Sequence, residues 1–193
     1  MESVAVFCGS SEGNDPRTIE AAYQLGEVLA SQQIQLVYGG AKVGLMGQVA
    51  DGALGKNGKV IGVIPDFLKR REVFHPHISE LIVVETMHQR KLKMHELSDG
   101  FMALPGGYGT LEELFEIITW GQLGLHQKPI GVLNCDGFFD SMLQFLDTMV
   151  TQGFLKQENR EMLLVDASAA GLLEQMRSYT PLITPKWIEK EQT

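Results

Sequence analysis

The chain has 193 residues, a length that suits one domain with a sizeable hydrophobic core. Its hydrophobic content of 44% and charged content of 21% are typical of a soluble globular protein. The net charge of −8 argues against a general nucleic-acid binder, because phosphate neutralisation needs clustered Lys and Arg. Without a signal peptide or a membrane-spanning apolar stretch, the sequence predicts a cytoplasmic protein with no membrane or nucleic-acid partner.

Apolar strand patterns alternate with helical patterns along the chain. Strands are predicted at 4–8, 34–38, 60–64, 81–84, 101–104, 130–133 and 163–165, and residues 66–80 are predicted to be irregular. Helices are predicted at 18–31, 45–56, 87–97, 110–123, 138–150 and 167–178. This alternation predicts an α/β fold in which helices cover both faces of a doubly wound parallel sheet. We expect a single domain at 1–180 and a C-terminal tail at 181–193.

Three predicted strands end in small residues that expose the backbone. These ends are Gly9-Ser10-Ser11, Gly39-Gly40 and Gly106-Gly107. Ligands of parallel α/β sheets bind beyond the carboxyl ends of the strands, where the strand order reverses. We therefore expect the three loops to lie side by side and to line one cleft, with Gly9, Ser10, Gly39 and Gly40 near the ligand.

The most informative segment is the glycine-rich turn at 104–113, Leu-Pro-Gly-Gly-Tyr-Gly-Thr-Leu-Glu-Glu. Glycines allow close backbone approach to a ligand, and the free N–H groups that begin a helix attract an anion. The pattern indicates a cradle for a mononucleotide or sugar phosphate, with Glu112 and Glu113 beside it in the first helical turn. An alternative is a capping box, in which Thr110 is the N-cap residue and Glu113 is the third helical residue.

Arg90 and Lys91 are the basic residues that we expect at the same edge of the sheet. They lie near the start of the helix that precedes the glycine-turn strand, so they can reach a phosphate or a leaving group. The alternative is a solvated basic patch. A carboxylate near a bound sugar phosphate can stabilise an oxocarbenium-like centre and activate water.

Other chemistries have little support in the sequence. The five histidines lack metal-ligand spacing, so no metal site is predicted. Cys8 and Cys135 lie in apolar runs and are predicted to be reduced core residues. The sequence contains no Gly-x-Ser-x-Gly nucleophile motif, and His75 is interpreted as a loop histidine.

Two motifs resemble one known family. The segment 105–113, Pro-Gly-Gly-Tyr-Gly-Thr-Leu-Glu-Glu, resembles the P-G-G-x-G-T-x-x-E signature of the LOG family, the cytokinin riboside 5′-monophosphate phosphoribohydrolases. The segment 87–91, Met-His-Gln-Arg-Lys, resembles the M-H-x-R-K element of that family. Segments 7–11, 37–40, 44–47 and 118–124 also fit, so the likeness covers about 4–146.

The resemblance implies a Rossmann-like homodimer that needs no cofactor. Its substrate would be a nucleoside 5′-monophosphate, either a cytokinin riboside 5′-monophosphate or AMP, hydrolysed to free base and ribose 5-phosphate. By motif position, Arg90 and Glu113 would be the catalytic pair. The ligand-binding residues would include both of these and Glu72, Lys91, Gly107, Tyr108, Gly109, Thr110, Leu111, Glu112 and Thr119.

Three rival functions have to be considered. A non-catalytic nucleotide- or cofactor-binding protein of the same fold, such as a molybdenum cofactor carrier, is the main alternative, and the joint presence of Arg90 and Glu113 argues against it. A DNA-processing protein is disfavoured by the acidic charge. The label "lysine decarboxylase", often given to this family, is disfavoured because a pyridoxal phosphate enzyme needs a Schiff-base lysine in a cofactor site.

Overall fold

Seven parallel strands form one sheet in the order β4-β3-β2-β1-β5-β6-β7. The computed structural model describes residues 1–69 and 74–181. The strands are β1 (Ser3–Phe7), β2 (Gln35–Tyr38), β3 (Val60–Pro65), β4 (Glu80–Val84), β5 (Gly100–Ala103), β6 (Ile130–Leu133) and β7 (Leu163–Asp166). The predicted α/β fold with a doubly wound parallel sheet is confirmed.

Eight α-helices connect or flank these strands within the described ranges. They are α1 (Pro16–Ser31), α2 (Gly44–Gly55), α3 (Asp66–Lys69), α4 (Met87–Glu96), α5 (Tyr108–Gln122), α6 (Asp140–Thr151), α7 (Gln157–Arg160) and α8 (Ala169–Ser178). A short 3₁₀ turn, Cys135–Gly137, precedes α6. No helix among the described residues is both long and apolar enough to cross a membrane.

The two faces of the sheet carry separate hydrophobic layers. Side chains of β1 alternate between them: Val4 and Val6 pack with α1, α2 and α8, whereas Ala5 and Phe7 pack with α4, α5 and α6. This alternation follows from the two-residue period of a strand. Burial on both faces explains why the strands read as continuous apolar runs in the sequence.

Most differences from the predicted boundaries are small and have local causes. Helix α1 begins at Pro16, two residues earlier than predicted, because the Asp15 side chain caps it and proline is favoured in the first turn. The segment predicted to be irregular contains the short helix α3. Residues 182–193 lie outside the described residues, so the division into a domain and a tail stays a prediction.

The strand order reverses between β1 and β5. The chain runs outward from β1 to β4 on one side, and then crosses back to place β5 on the other side of β1. Because all strands are parallel, the loops that follow β2, β1 and β5 meet at one edge of the sheet. The fold therefore forms a crevice at the position where such sheets bind ligands.

His126, in the loop between α5 and β6, is a buried titratable residue. Its Nε2 lies 2.9 Å from the Ile117 carbonyl oxygen, and its Nδ1 accepts a hydrogen bond of 3.1 Å from the Lys128 backbone N–H. This pairing fits a neutral ring that is protonated on Nε2. Burial lowers the pKa of His126, and the nearby Lys128 charge lowers it further.

We expect His126 to make the fold less stable at acidic pH. Its pKa is lower in the folded chain than in the unfolded chain, so its contribution is complete above about pH 6.5 and is lost as the pH falls below that value. Between pH 7.5 and 5.5 the wild type should lose more unfolding free energy than His126→Gln, because the unfolded imidazole takes up a proton more readily than the folded one. Urea unfolding at both pH values measures this difference. Equal losses in the two proteins would contradict the lowered pKa of His126.

Candidate active site

The glycine-rich turn joins β5 to α5 at the switch point. Gly106 has no room for a side chain, because a Cβ atom there would overlap the buried Thr110 hydroxyl group. Gly107 and Gly109, in contrast, face open space, and Tyr108 is 95% exposed. The backbone N–H groups at the start of α5 are therefore accessible to a ligand, as a phosphate cradle requires.

The capping-box alternative is wrong. Helix α5 begins at Tyr108, its N-cap residue is Gly107, and no side chain caps it. Thr110 is already the third helical residue, and it packs beneath Gly106 instead of capping the helix. Glu112 and Glu113 consequently lie in the second turn of α5 and not in the first, so a capping role does not account for Glu113.

The three glycine-containing loops lie side by side, as expected from their strand ends. The Gly9 N–H donates a hydrogen bond of 3.0 Å to the Pro105 carbonyl oxygen, which joins the loop after β1 to the glycine-rich turn. Ser10 is exposed at this edge, whereas Gly39 and Gly40 are buried beneath it. The loop after β2 lies against the other side of β1, because β2 and β1 are paired.

Arg90 and Glu113 form a buried ion pair beside this crevice. Arg90 Nη1 donates to Glu113 Oε1 at 2.7 Å, and both side chains are 10% exposed. Arg90 Nε donates to the Val63 carbonyl oxygen at 3.1 Å, so the guanidinium group is also held by β3. A Cβ atom on Gly39 would overlap Arg90 Nη2. The guanidinium group therefore fills the space that glycine leaves at the end of β2.

The electrostatic environment of Glu113 is that of a buried carboxyl group with one cationic partner. Burial raises the pKa of Glu113, although the charge and hydrogen bond of Arg90 oppose this. Burial also raises the pKa of the Cys8 thiol, and the Glu113 charge raises it further. Cys8 therefore stays protonated and is a poor nucleophile, in agreement with its interpretation as a core residue.

Lys91 is held between two carboxylates of α5. Its ammonium group lies 2.5 Å from Glu112 Oε1 and 2.9 Å from Glu116 Oε1, and its side chain is 8% exposed. Burial tends to lower the pKa of Lys91, but its hydrogen bonds with the two carboxylates raise it. Sequence reasoning missed Glu116, although its spacing of four residues from Glu112 places both on one face of a helix.

Two further predicted ligand-binding residues also lie on α5, and a third is not described. Thr119 is exposed, and its hydroxyl group donates to the Phe115 carbonyl oxygen at 2.7 Å. It lies one helical turn after Glu116 on α5. Leu111 is half-buried against the hydrophobic layer of α4, α5 and α6. Glu72 lies outside the described residues.

His75 has a larger structural role than its interpretation as a loop histidine implied. It is buried, and its backbone N–H donates to the Gly40 carbonyl oxygen at 2.9 Å. The His77 N–H donates to its Nδ1 at 3.2 Å, which leaves Nε2 to donate to Asp51 at 3.0 Å. His75 thus ties the segment before β4 to both α2 and the loop after β2. The sequence did not indicate this burial, because a single buried side chain in a polar loop produces no hydrophobic periodicity.

The fold and site together define a Rossmann-like α/β protein with a buried ion pair near its glycine-rich turn. The family described as "Possible lysine decarboxylase" has a sequence model that matches residues 46–176. A cytokinin riboside 5′-monophosphate phosphoribohydrolase of Arabidopsis thaliana is 48% identical over 92% of this chain and 84% of its own length. A probable enzyme of that name from Oryza sativa subsp. japonica is 48% identical over 92% of this chain and 72% of its own. The chain belongs to this family, the LOG family.

Solved structures share the architecture with more distant sequences. The molybdenum cofactor binding protein of Rippkaea orientalis is 25% identical, with a TM-score of 0.70 over 91% of this chain and 95% of that chain. DNA processing protein A of Helicobacter pylori is 17% identical, with a TM-score of 0.57 over 92% of this chain and 81% of that chain. The second likeness shows the Rossmann-like fold alone.

Proposed function

We propose that this protein hydrolyses the N-glycosidic bond of a nucleoside 5′-monophosphate, a cytokinin riboside 5′-monophosphate or AMP. The products are the free base and ribose 5-phosphate. The observation that carries the proposal is the buried Arg90–Glu113 pair, with 2.7 Å between Nη1 and Oε1, beside the open N-terminus of α5. The activity that names the 48% identical Arabidopsis relative supports the same reaction.

The reaction needs one group at the sugar and one near the phosphate or base. As the bond from C1′ to the base nitrogen breaks, its electron pair leaves with the base and positive charge develops on the ribose. The Glu113 carboxylate stabilises that charge and takes a proton from the attacking water, whose oxygen bonds to C1′. Arg90 orients Glu113 and opposes the rise in its pKa that burial causes, and its guanidinium group assists the departing base or holds the phosphate.

The phosphate group is bound by the glycine-rich turn. The N–H groups from Gly107 to Thr110 begin α5, and the positive end of the helix dipole favours an anion there. Gly107 and Gly109 have no side chains to block the approach of the anion. Gly9, Ser10, Gly39 and Gly40 form the adjacent wall of the crevice.

The geometry around Lys91 disfavours lysine decarboxylation by a pyridoxal phosphate enzyme. A Schiff-base lysine has to be available as a free amine, which requires a lowered pKa. Lys91 has two carboxylate partners that raise its pKa, and they hold it in the charged form. We propose that the reaction uses no cofactor and no metal ion, because Glu113 and Arg90 supply the charges that the glycosidic cleavage needs.

The main rival is a protein that binds a nucleotide-like cofactor without cleaving it, as the name of the Rippkaea orientalis protein suggests for that relative. The two functions differ in what happens to a bound nucleoside monophosphate. The rival predicts binding without release of base, whereas the proposed enzyme releases it. A buried carboxylate beside the cradle favours the enzyme, because placing a charge there lowers the affinity for an anion.

We expect hydrolysis of nucleoside 5′-monophosphates but not of the corresponding nucleosides. Binding energy from the remote phosphate group is used to lower the barrier at the glycosidic bond. Chromatography of base released from AMP, a cytokinin riboside 5′-monophosphate and adenosine, with EDTA present and pyridoxal phosphate absent, measures this preference. Equal turnover of AMP and adenosine would contradict it, and binding of AMP without base release would favour the rival.

Glu113→Gln should abolish turnover while largely preserving AMP binding. An amide of the same shape still accepts a hydrogen bond from Arg90, but it cannot supply the negative charge that the transition state needs. We expect kcat to fall by about a hundredfold or more. Steady-state kinetics and calorimetric AMP binding test this, with Glu96→Gln on the exposed end of α4 as control. A folded Glu113→Gln protein with near-normal kcat would remove Glu113 from the mechanism.

We propose further that the protein is a homodimer with part of each site near the interface. Exposed apolar side chains on the outer surface of the layer that contains α5 support this, namely Leu92 of α4 and Phe145 of α6. Trp120 of α5, in contrast, is half-buried and packs edge-on against His95.

Light scattering at micromolar concentration should give about twice the chain mass of 21.4 kDa. Leu92→Glu should shift the mass towards the monomer, because burial of an unpaired carboxylate opposes association. Gln24→Glu, on α1 of the opposite layer, is the matched control. A fully active wild-type monomer would contradict the dimer.

A further inference from the structure

Glu116 is the second carboxylate that holds the buried ammonium group of Lys91. It lies one turn after Glu112 on α5, and its Oε1 is 2.9 Å from Lys91 Nζ. The two carboxylates differ in exposure: the side chain of Glu112 is 57% exposed, whereas that of Glu116 is 24% exposed. Glu112 is therefore the more accessible of the two to a ligand, and Glu116 is the more enclosed beside Lys91.

The charges around this pair are unusual for a site that takes an anion. Among the described residues, Glu112, Glu113 and Glu116 form ion pairs with two cations, Arg90 and Lys91. Glu112 and Glu116 also repel each other, because like charges four residues apart on a helix destabilise it. A third carboxylate beside a phosphate cradle weakens anion binding by simple electrostatics. The presence of Glu116 therefore needs an explanation other than direct binding of the anion.

We propose that Glu116 is a positioning residue that retains Lys91 when Glu112 turns away to accept a hydrogen bond from a sugar hydroxyl group of the substrate. The inference rests on the proposed function, in which Glu112 binds the nucleotide. A buried ammonium group without a partner is costly. With Glu116 in place, Lys91 keeps a charged partner during this exchange.

In a protein without Glu116, Lys91 would therefore hold Glu112 more tightly. Glu112 would become the one carboxylate left on the buried ammonium group, and its release to the substrate would leave that group without a charged partner. The cost falls on the binding of substrate and not on the chemical step, because Arg90 and Glu113 are untouched. A purely electrostatic contribution has the opposite sign, since removal of a negative charge strengthens anion binding.

The test is Glu116→Gln, studied by calorimetric AMP binding and steady-state kinetics. We expect Kd and KM to rise about tenfold and kcat to stay within about threefold of wild type. Glu96→Gln is the matched control, because Glu96 also pairs with a lysine, at 3.4 Å from Lys93, on the exposed end of α4. In a Lys91→Met background, Glu116→Gln should cause no further loss of affinity, because the proposed contribution acts through Lys91.

Two results would overturn the inference. One is an AMP Kd for Glu116→Gln that is unchanged or lower than that of wild type. The other is a tenfold loss that persists in the Lys91→Met background, which would indicate a structural contribution of Glu116 to α5. The binding measurements are made with Glu113→Gln present in every protein, so turnover of AMP does not interfere with them. Wild-type protein that binds AMP without cleaving it would contradict the proposed function, and the comparison of Kd values would still decide the contribution of Glu116.

Discussion

The buried ion pair between Arg90 and Glu113 is the interaction on which the arrangement of the site depends. It joins α4 to α5, and the hydrogen bond from Arg90 to Val63 extends the link to β3. Breaking a buried pair by removing one partner leaves an uncompensated charge in the interior, so each residue constrains the other strongly. The absence of a side chain at Gly39 follows from this pair, because the guanidinium group occupies that space.

The pair has a cost that a purely structural contact would avoid. Hydrophobic residues of similar volume often stabilise a fold as well as a buried ion pair does. Here the carboxyl group lies beside open helix N–H groups, and burial raises its pKa. Such a combination of burial, a specific charge partner and a crevice is typical of functional sites. A role in a nucleotide-binding site therefore explains the ion pair better than a role in holding two helices together.

The glycine-rich turn and the ion pairs meet because of the topology of the sheet. Return of the chain from β4 to β5 places the start of α5 next to the loop after β1. The crossing helix α4 precedes β5, and its buried side, including Arg90 and Lys91, faces the sheet and α5. The two basic residues and the three acidic residues of α5 are 21 to 25 positions apart in the chain, yet they form direct contacts.

The sequence by itself determined the fold class, because apolar runs and helical periods alternate along the whole chain. It also located the glycine-rich turn and Arg90, Lys91 and Glu113, since those residues stand in short motifs with a local chemical meaning. Only the tertiary structure decided that α5 begins at Tyr108 and that Glu116 shares Lys91 with Glu112. Periodicity records which residues share a face, but the partner of a buried charge depends on elements that meet only after folding.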